Sequence, residues 1–223
     1  MYQTADQSVI QIITLVVALS AAAAYLFLTA RPPSILRSCI KTLSVAALAL
    51  AAWNAGAPAL LVVALGSCAL GDFCLSRDGD TAFMAGVGAF AVGHLIYVAL
   101  FLGHPLADLS RLIAPTGGAF CIVLVLVGGA MVRLLAPRAG SLAMAVLAYI
   151  PIILSMAVAA MTLPVQGALV WVLPAAISFM VSDMVLAVET FVLSDDHALR
   201  RYTPYAIWSL YWGAQVGFFA AFA

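Results

Sequence analysis

Residues 61–75 read LVVALGSCALGDFCL, and one letter in that run decides how the chain must fold: the carboxylate of Asp72 sits inside otherwise apolar sequence. Residues 174–188, PAAISFMVSDMVLAV, repeat the anomaly with Asp183. An ionised carboxylate in hydrocarbon costs several kcal/mol, so such a residue faces a protein interior, has a partner, and marks a functional site by default. Both runs are too long and too apolar for surface helices of a soluble domain.

Composition agrees. Of 223 residues, 66% are hydrophobic and 8% charged, against roughly 25% charged in a soluble domain. With a mean hydropathy of +1.17, this is the composition of a polytopic membrane protein. The formal net charge is zero, so no nucleic-acid partner is expected. Cys39, Cys68, Cys74 and Cys121 are scattered without a CxxC, which points to apolar packing rather than a disulfide framework or zinc knuckle. The small residues of SAAAAY (20–25) resemble a signal-peptide cleavage region, but MYQTADQS lacks a basic start. The run from Val9 to Thr29 therefore reads as a first membrane span.

A span needs about 20 mainly apolar residues. Eight stretches qualify: 9–29, 36–54, 57–75, 82–102, 114–135, 140–161, 167–189 and 204–222. Turn-forming sequence separates them, including ARPPS, NAGAP, SRDGDT and SDDHALRRYTP. The expectation is an all-α fold, a single transmembrane domain over 1–223 built from eight helices. Small residues such as AGVGAFAVG (85–93) allow close helix approach.

Of the nine basic residues, eight fall on odd-numbered connections or their flanks: Arg31, Arg37, Lys41, Arg77, Arg133, Arg138, Arg200 and Arg201. Only Arg111 lies opposite. The positive-inside rule then places the odd connections in the cytoplasm and both termini outside. The third and seventh spans both run inward. Asp72 falls about one turn, and Asp183 about two turns, from a cytoplasmic end. Lys41 lies near the cytoplasmic start of the second span, while His94, Tyr97, Tyr149, Tyr211 and Gln215 lie deeper. One cavity open toward the cytoplasmic leaflet is expected to collect all of them, in an integral protein of a bacterial inner membrane.

The chemistry follows from residue types. Two carboxylates close together repel when both are ionised, which favours one acid beside one base, the pairing that general acid–base hydrolysis requires. Asp72 and Asp183 each follow a small residue (Gly71, Ser182) and precede x-x-Leu, which also hints at a four-plus-four duplication. Tyr97 shares a helix face with His94 three residues earlier. A metal site of Asp72, His94 and Asp183 is conceivable, but no HExxH or Cys/His spacing supports one, and no cofactor is expected. Lys41 is either a snorkelling positive-inside residue or the partner of a phosphate or carboxylate. Glu189 and the Asp195-Asp196-His197 loop read as solvated. Phe83, Phe90, Phe101, Trp171, Trp208 and Trp212 read as packing or interface anchors.

Taken together, GDFCL (71–75), GHLIY (93–97), SDMVLA (182–187) and YWGAQ (211–215), in that order and on those spans, resemble the YhhN family of membrane lysoplasmalogenases. The resemblance covers nearly the whole chain. It implies hydrolysis of the vinyl-ether bond of lysoplasmalogens to a fatty aldehyde and glycerophosphoethanolamine or glycerophosphocholine. It also implies site roles for Lys41, Asp72, His94, Tyr97, Tyr149, Asp183, Tyr211 and Gln215. The expected partners are a lysophospholipid substrate and the bilayer, with no protein partner inferred. Proton delivery to carbon by one aspartic acid, with the other carboxylate supporting the cation and the water, fits such a bond, and which aspartate is the acid stays open. A proton-coupled transporter using the same aspartates is the alternative of another class. An intramembrane aspartyl protease fits worse, because Ala69 breaks the GxGD pattern.

Overall fold

The computed structural model describes residues 2–223, and side chains from Val9 onward. Eight long helices carry the fold: α1 Tyr2–Leu28, α2 Ile35–Asn54, α3 Ala59–Leu75, α4 Asp80–Leu102, α5 Pro115–Leu135, α6 Ala143–Met161, α7 Val172–Phe191 and α8 Thr203–Phe222. A single helical turn, Ser110–Ile113, precedes α5, and no strand occurs among the described residues. The ends follow local chemistry. Pro32 and Pro33 interrupt the chain before α2, whose N-cap Ser34 accepts a hydrogen bond from the Arg37 amide at 3.2 Å. Gly140 and Gly167 take the left-handed conformation (φ of 52° each), which turns the chain into 3-10 segments leading to α6 and α7. Those two helices therefore start a few residues later than the apolar pattern predicts.

The expected count of eight spans is met only in part. Six helices (α1, α2 and α4 to α7) are long and apolar enough to cross a membrane. Helix α3 has 17 residues, a length of about 26 Å against about 30 Å of hydrocarbon. Helix α8 is long enough, but Tyr205, Trp208, Tyr211, Trp212 and Gln215 lower its hydropathy. Much of that polarity is turned inward, since Trp208, Tyr211 and Gln215 are all buried.

Successive helices pack as antiparallel neighbours, α1 on α2, α2 on α3, α3 on α4, and α7 on α8, while α4 also packs along α6. Helix α8 reaches the middle, touching α1, α2 and α3. Trp208 Nε1 donates to the Ala22 carbonyl at 3.1 Å, with its ring 4.4 Å from that of Tyr25, which ties α8 to α1. Ser182 Oγ donates to the Ile207 carbonyl at 3.0 Å, which ties it to α7. The outside is apolar, with Phe27, Ile122, Val125 and Leu126 exposed, while Asp72, His94 and Gln215 are buried. Where the surrounding solvent is lipid, that distribution turns hydrocarbon outward and keeps most polar side chains inside.

Candidate functional site

The site begins with a contact that only a glycine permits. A Cβ on Gly71 would stand 2.7 Å from carbons of the Phe90 ring, so α3 and α4 close up there and Phe90 slots beside Asp72. Asp72 has no solvent exposure. One oxygen, Oδ1, lies 2.9 Å from Lys41 Nζ, and Oδ2 accepts from the Tyr211 hydroxyl at 2.7 Å. Helices α2, α3 and α8 thus meet on one carboxylate, and the charged pair plus the phenol meets the requirement that a buried charge be compensated. Lys41 keeps 16% of its side chain exposed and lies 5.9 Å from the centre of the Tyr25 ring.

Asp183 has different company. Its Oδ2 accepts from the Tyr149 hydroxyl at 2.6 Å and lies 3.6 Å from His94 Nε2. The tautomer of His94 follows from its other nitrogen, which is 2.7 Å from the Phe90 carbonyl. A carbonyl only accepts, so Nδ1 carries a hydrogen and Nε2 is left facing the carboxyl group. At 3.6 Å this is a near approach rather than a formed hydrogen bond. His94 is fully buried, its ring 4.3 Å from Phe179, so this imidazole answers to Asp183 and not to water.

Both aspartates line one cavity of about 230 Å³, with Arg37, Lys41, Ser182, Glu189, Trp208 and Tyr211 among its other walls. A second, apolar cavity of about 60 Å³ lies between Phe83, Val87, Val146, Tyr149 and Phe191. The two share Leu75, Phe90, Asp183 and Leu186 as walls. Asp183 therefore stands at a boundary, with charged groups on one side and hydrocarbon side chains on the other.

The structure brings Lys41, Asp72, Asp183 and Tyr211 to the polar cavity, with Tyr149 and His94 directly around Asp183. Tyr97 and Gln215 are not there, contrary to the expectation of one cavity for all eight. Tyr97 donates to Gln215 Oε1 at 2.6 Å, and both are fully buried against the aromatic cluster that includes Phe218, 4.3 Å from Tyr97. The hydroxyl is satisfied by the amide oxygen, while Gln215 Nε2 is buried without a hydrogen-bond partner, and the contact fastens α4 to α8 away from the cavity. Glu189 is the second correction. It lines the polar cavity, its Oε2 is buried without a hydrogen-bond partner, and Arg200 of the following turn reaches back to its backbone carbonyl at 2.8 Å. Trp208 and Phe90 are packing residues that are also cavity walls. Arg37 was hidden among the positive-inside residues; its spacing of one turn before Lys41 was the available signal. Among the described residues, no cluster of three or more His, Cys, Asp or Glu is gathered as a metal ion would need.

An apolar exterior of long helices around a charge-lined cavity defines the class: a polytopic helical membrane protein. Residues 36–222 match the model of the YhhN family, and the chain belongs to that family. No curated protein and no solved structure matches it.

Proposed function

We propose that the protein is a membrane-embedded hydrolase that cleaves the vinyl-ether bond of lysoplasmalogens, releasing a fatty aldehyde and glycerophosphoethanolamine or glycerophosphocholine. The observation that carries this reading is the place of Asp183 at the junction of a polar and an apolar cavity. A lysoplasmalogen has its vinyl ether at the same kind of junction, between headgroup and hydrocarbon chain. A lysolipid seated across that boundary presents the bond to Asp183.

The chemistry needs a proton on carbon first. A proton carried by the Asp183 carboxyl passes to the second carbon of the alkenyl chain, leaving an oxocarbenium ion at the first. Asp72, kept in place by Lys41 and Tyr211, faces that cation as a carboxylate and takes a proton from the attacking water. The resulting hemiacetal gives its hydroxyl proton to Asp183. As the carbon–oxygen bond breaks, the proton on Asp72 goes to the departing glycerol oxygen. Both aspartates end as they began. Eight spans, with the odd connections in the cytoplasm and the polar cavity open toward that leaflet of a bacterial inner membrane, complete the proposal.

The test is incubation of the purified protein with lysoplasmenylethanolamine in deuterium oxide, with prompt reduction of the aldehyde to its alcohol. One deuterium at carbon 2 of the chain is expected beyond the one that an uncatalysed control acquires by exchange. Wild-type protein that releases no aldehyde from any lysoplasmalogen headgroup class overturns the reading.

A further inference from the structure

Two opposite charges at the polar cavity have no use in the chemistry above. Arg37 spends one guanidinium nitrogen on the Thr29 carbonyl at 3.0 Å, while its Nε is buried with no hydrogen-bond partner. Glu189 has its Oε2 buried and unpartnered. Neither side chain is within ion-pair distance of an opposite charge among the described residues; Lys41 is taken by Asp72, and Arg200 pairs with Asp195 at 3.5 Å. Arg200 does reach the backbone carbonyl of Glu189 at 2.8 Å, which orients the end of α7 and leaves the carboxylate to the cavity. Partly buried charges left unpaired are costly, and a cavity that keeps one of each sign is matched by a ligand that carries one of each.

We propose that Arg37 and Glu189 form a headgroup subsite for a zwitterionic lysophospholipid, with Arg37 on the phosphodiester and Glu189 on the ammonium. This deepens the hydrolase reading and rests on it for the orientation of the lipid. The supporting walls fit the assignment. Arg37 lies 5.7 Å from the centre of the Tyr25 ring, which holds the guanidinium on the α1 side of the cavity. Trp208 and Tyr25, ring to ring, add an aromatic wall against which an ammonium with its methylene neighbours packs well. Guanidinium is the side chain best shaped for two phosphate oxygens, and Nε is one of the two donors of that fork. Asp183 is a wall of the same cavity, so a lipid held by its headgroup here extends its chain past the reacting carboxyl and into the apolar side.

Binding, and not turnover, is the readout, using lysolipids with a saturated ether chain, which have no double bond to protonate. Native mass spectrometry in detergent measures two of them, one with a phosphoethanolamine headgroup and one with a phosphate monoester. Wild-type protein is expected to prefer the phosphoethanolamine lipid about tenfold, since one charge-assisted contact is at stake. Glu189→Gln is expected to erase that preference and leave the phosphate monoester lipid bound as before. Arg37→Gln is expected to weaken both lipids about tenfold or more. Equal binding of the two lipids by the wild type, which needs no variant to fold, overturns the subsite. So does a Glu189→Gln variant that retains the preference. The two readings fail separately. Headgroup discrimination without aldehyde release removes the hydrolase and keeps the subsite, while aldehyde release that is indifferent to headgroup does the reverse.

Discussion

Removing Lys41 and removing Asp72 are not equivalent perturbations, and the structure says which hurts more. Lys41→Met leaves the fully buried Asp72 carboxylate with the Tyr211 hydroxyl as its remaining donor. Breaking a buried pair by deleting one partner costs about 3–5 kcal/mol, because the other charge stays behind uncompensated. Asp72→Asn is milder. The amide oxygen still accepts from Tyr211, and the lysine, 16% exposed, can turn its ammonium into the cavity, so a loss of about 1–2 kcal/mol is expected. In the double variant no charge is stranded, and its loss should match that of Asp72→Asn alone. The cycle then shows a coupling equal to the whole Lys41→Met loss, about 3–5 kcal/mol, where independent sites would add. Unfolding in mixed dodecyl sulfate micelles, followed by tryptophan fluorescence, gives the four stabilities. Additive losses, or a Lys41→Met variant no weaker than Asp72→Asn, refute the ion pair as described. Turnover separates structure from chemistry in the same proteins. The double variant is expected to be folded and to have lost about 100-fold or more in kcat. Hydrolysis within tenfold of wild type by that variant would remove Asp72 from the mechanism.

Asp183→Asn removes the proposed donor and should also lower kcat by about 100-fold or more, while Tyr149→Phe, which deletes one hydrogen bond to it, should cost about tenfold; equal effects would misplace the donor. Gly71→Ala drives a methyl group into the Phe90 ring and should destabilise the protein by about 1–3 kcal/mol, read as a lower Tm; an unchanged Tm means that α3 and α4 do not close there. A cysteine placed at Ser194, an exposed position after α7, should stay unlabelled by an impermeant thiol reagent in intact cells; labelling there reverses the proposed orientation. Prolonged chelator treatment should leave aldehyde release within about twofold, whereas loss restored by zinc would replace proton transfer with metal chemistry.

Helix positions were legible because apolar runs and turn residues are local, and every expected stretch became a helix, although α1 starts earlier and α6 and α7 start later than the pattern read. The aspartates stood out because a carboxylate in such a run must either reach water or find a partner, and the structure gives both of them partners beside a common cavity. The pairing was not. Whether Asp72 meets Lys41 or Asp183 meets His94 depends on the rotation of each helix about its axis. That rotation is set by contacts such as Gly71 on Phe90, between residues of different helices. Tyr97 misled for this reason: three residues after His94 it shares a face, yet over one turn that face passes from Asp183 to the Gln215 amide. Glu189 misled because a charge near a helix end usually meets water, and the backward fold of residues 194–203 is invisible in composition. In α8, sequence length was sufficient for a span, but polarity belonging to the interior lowered its apolar signal.

That polarity has a consequence for how the molecule is made. A helix bearing Trp208, Tyr211 and Gln215 gains little from hydrocarbon by itself, and the groups that receive it, the Ala22 carbonyl, the Asp72 carboxylate and the Tyr97 hydroxyl, belong to helices synthesised earlier. An entry of α8 that follows the other helices would then be a docking step onto groups already in place, rather than simple partitioning into hydrocarbon. Until that step Asp72 lacks its phenol donor and Tyr97 its amide. Completion of the polar cavity's surroundings would then coincide with the seating of α8, and a quality-control system that senses unassembled polar helices would also remove chains whose cavity is unfinished.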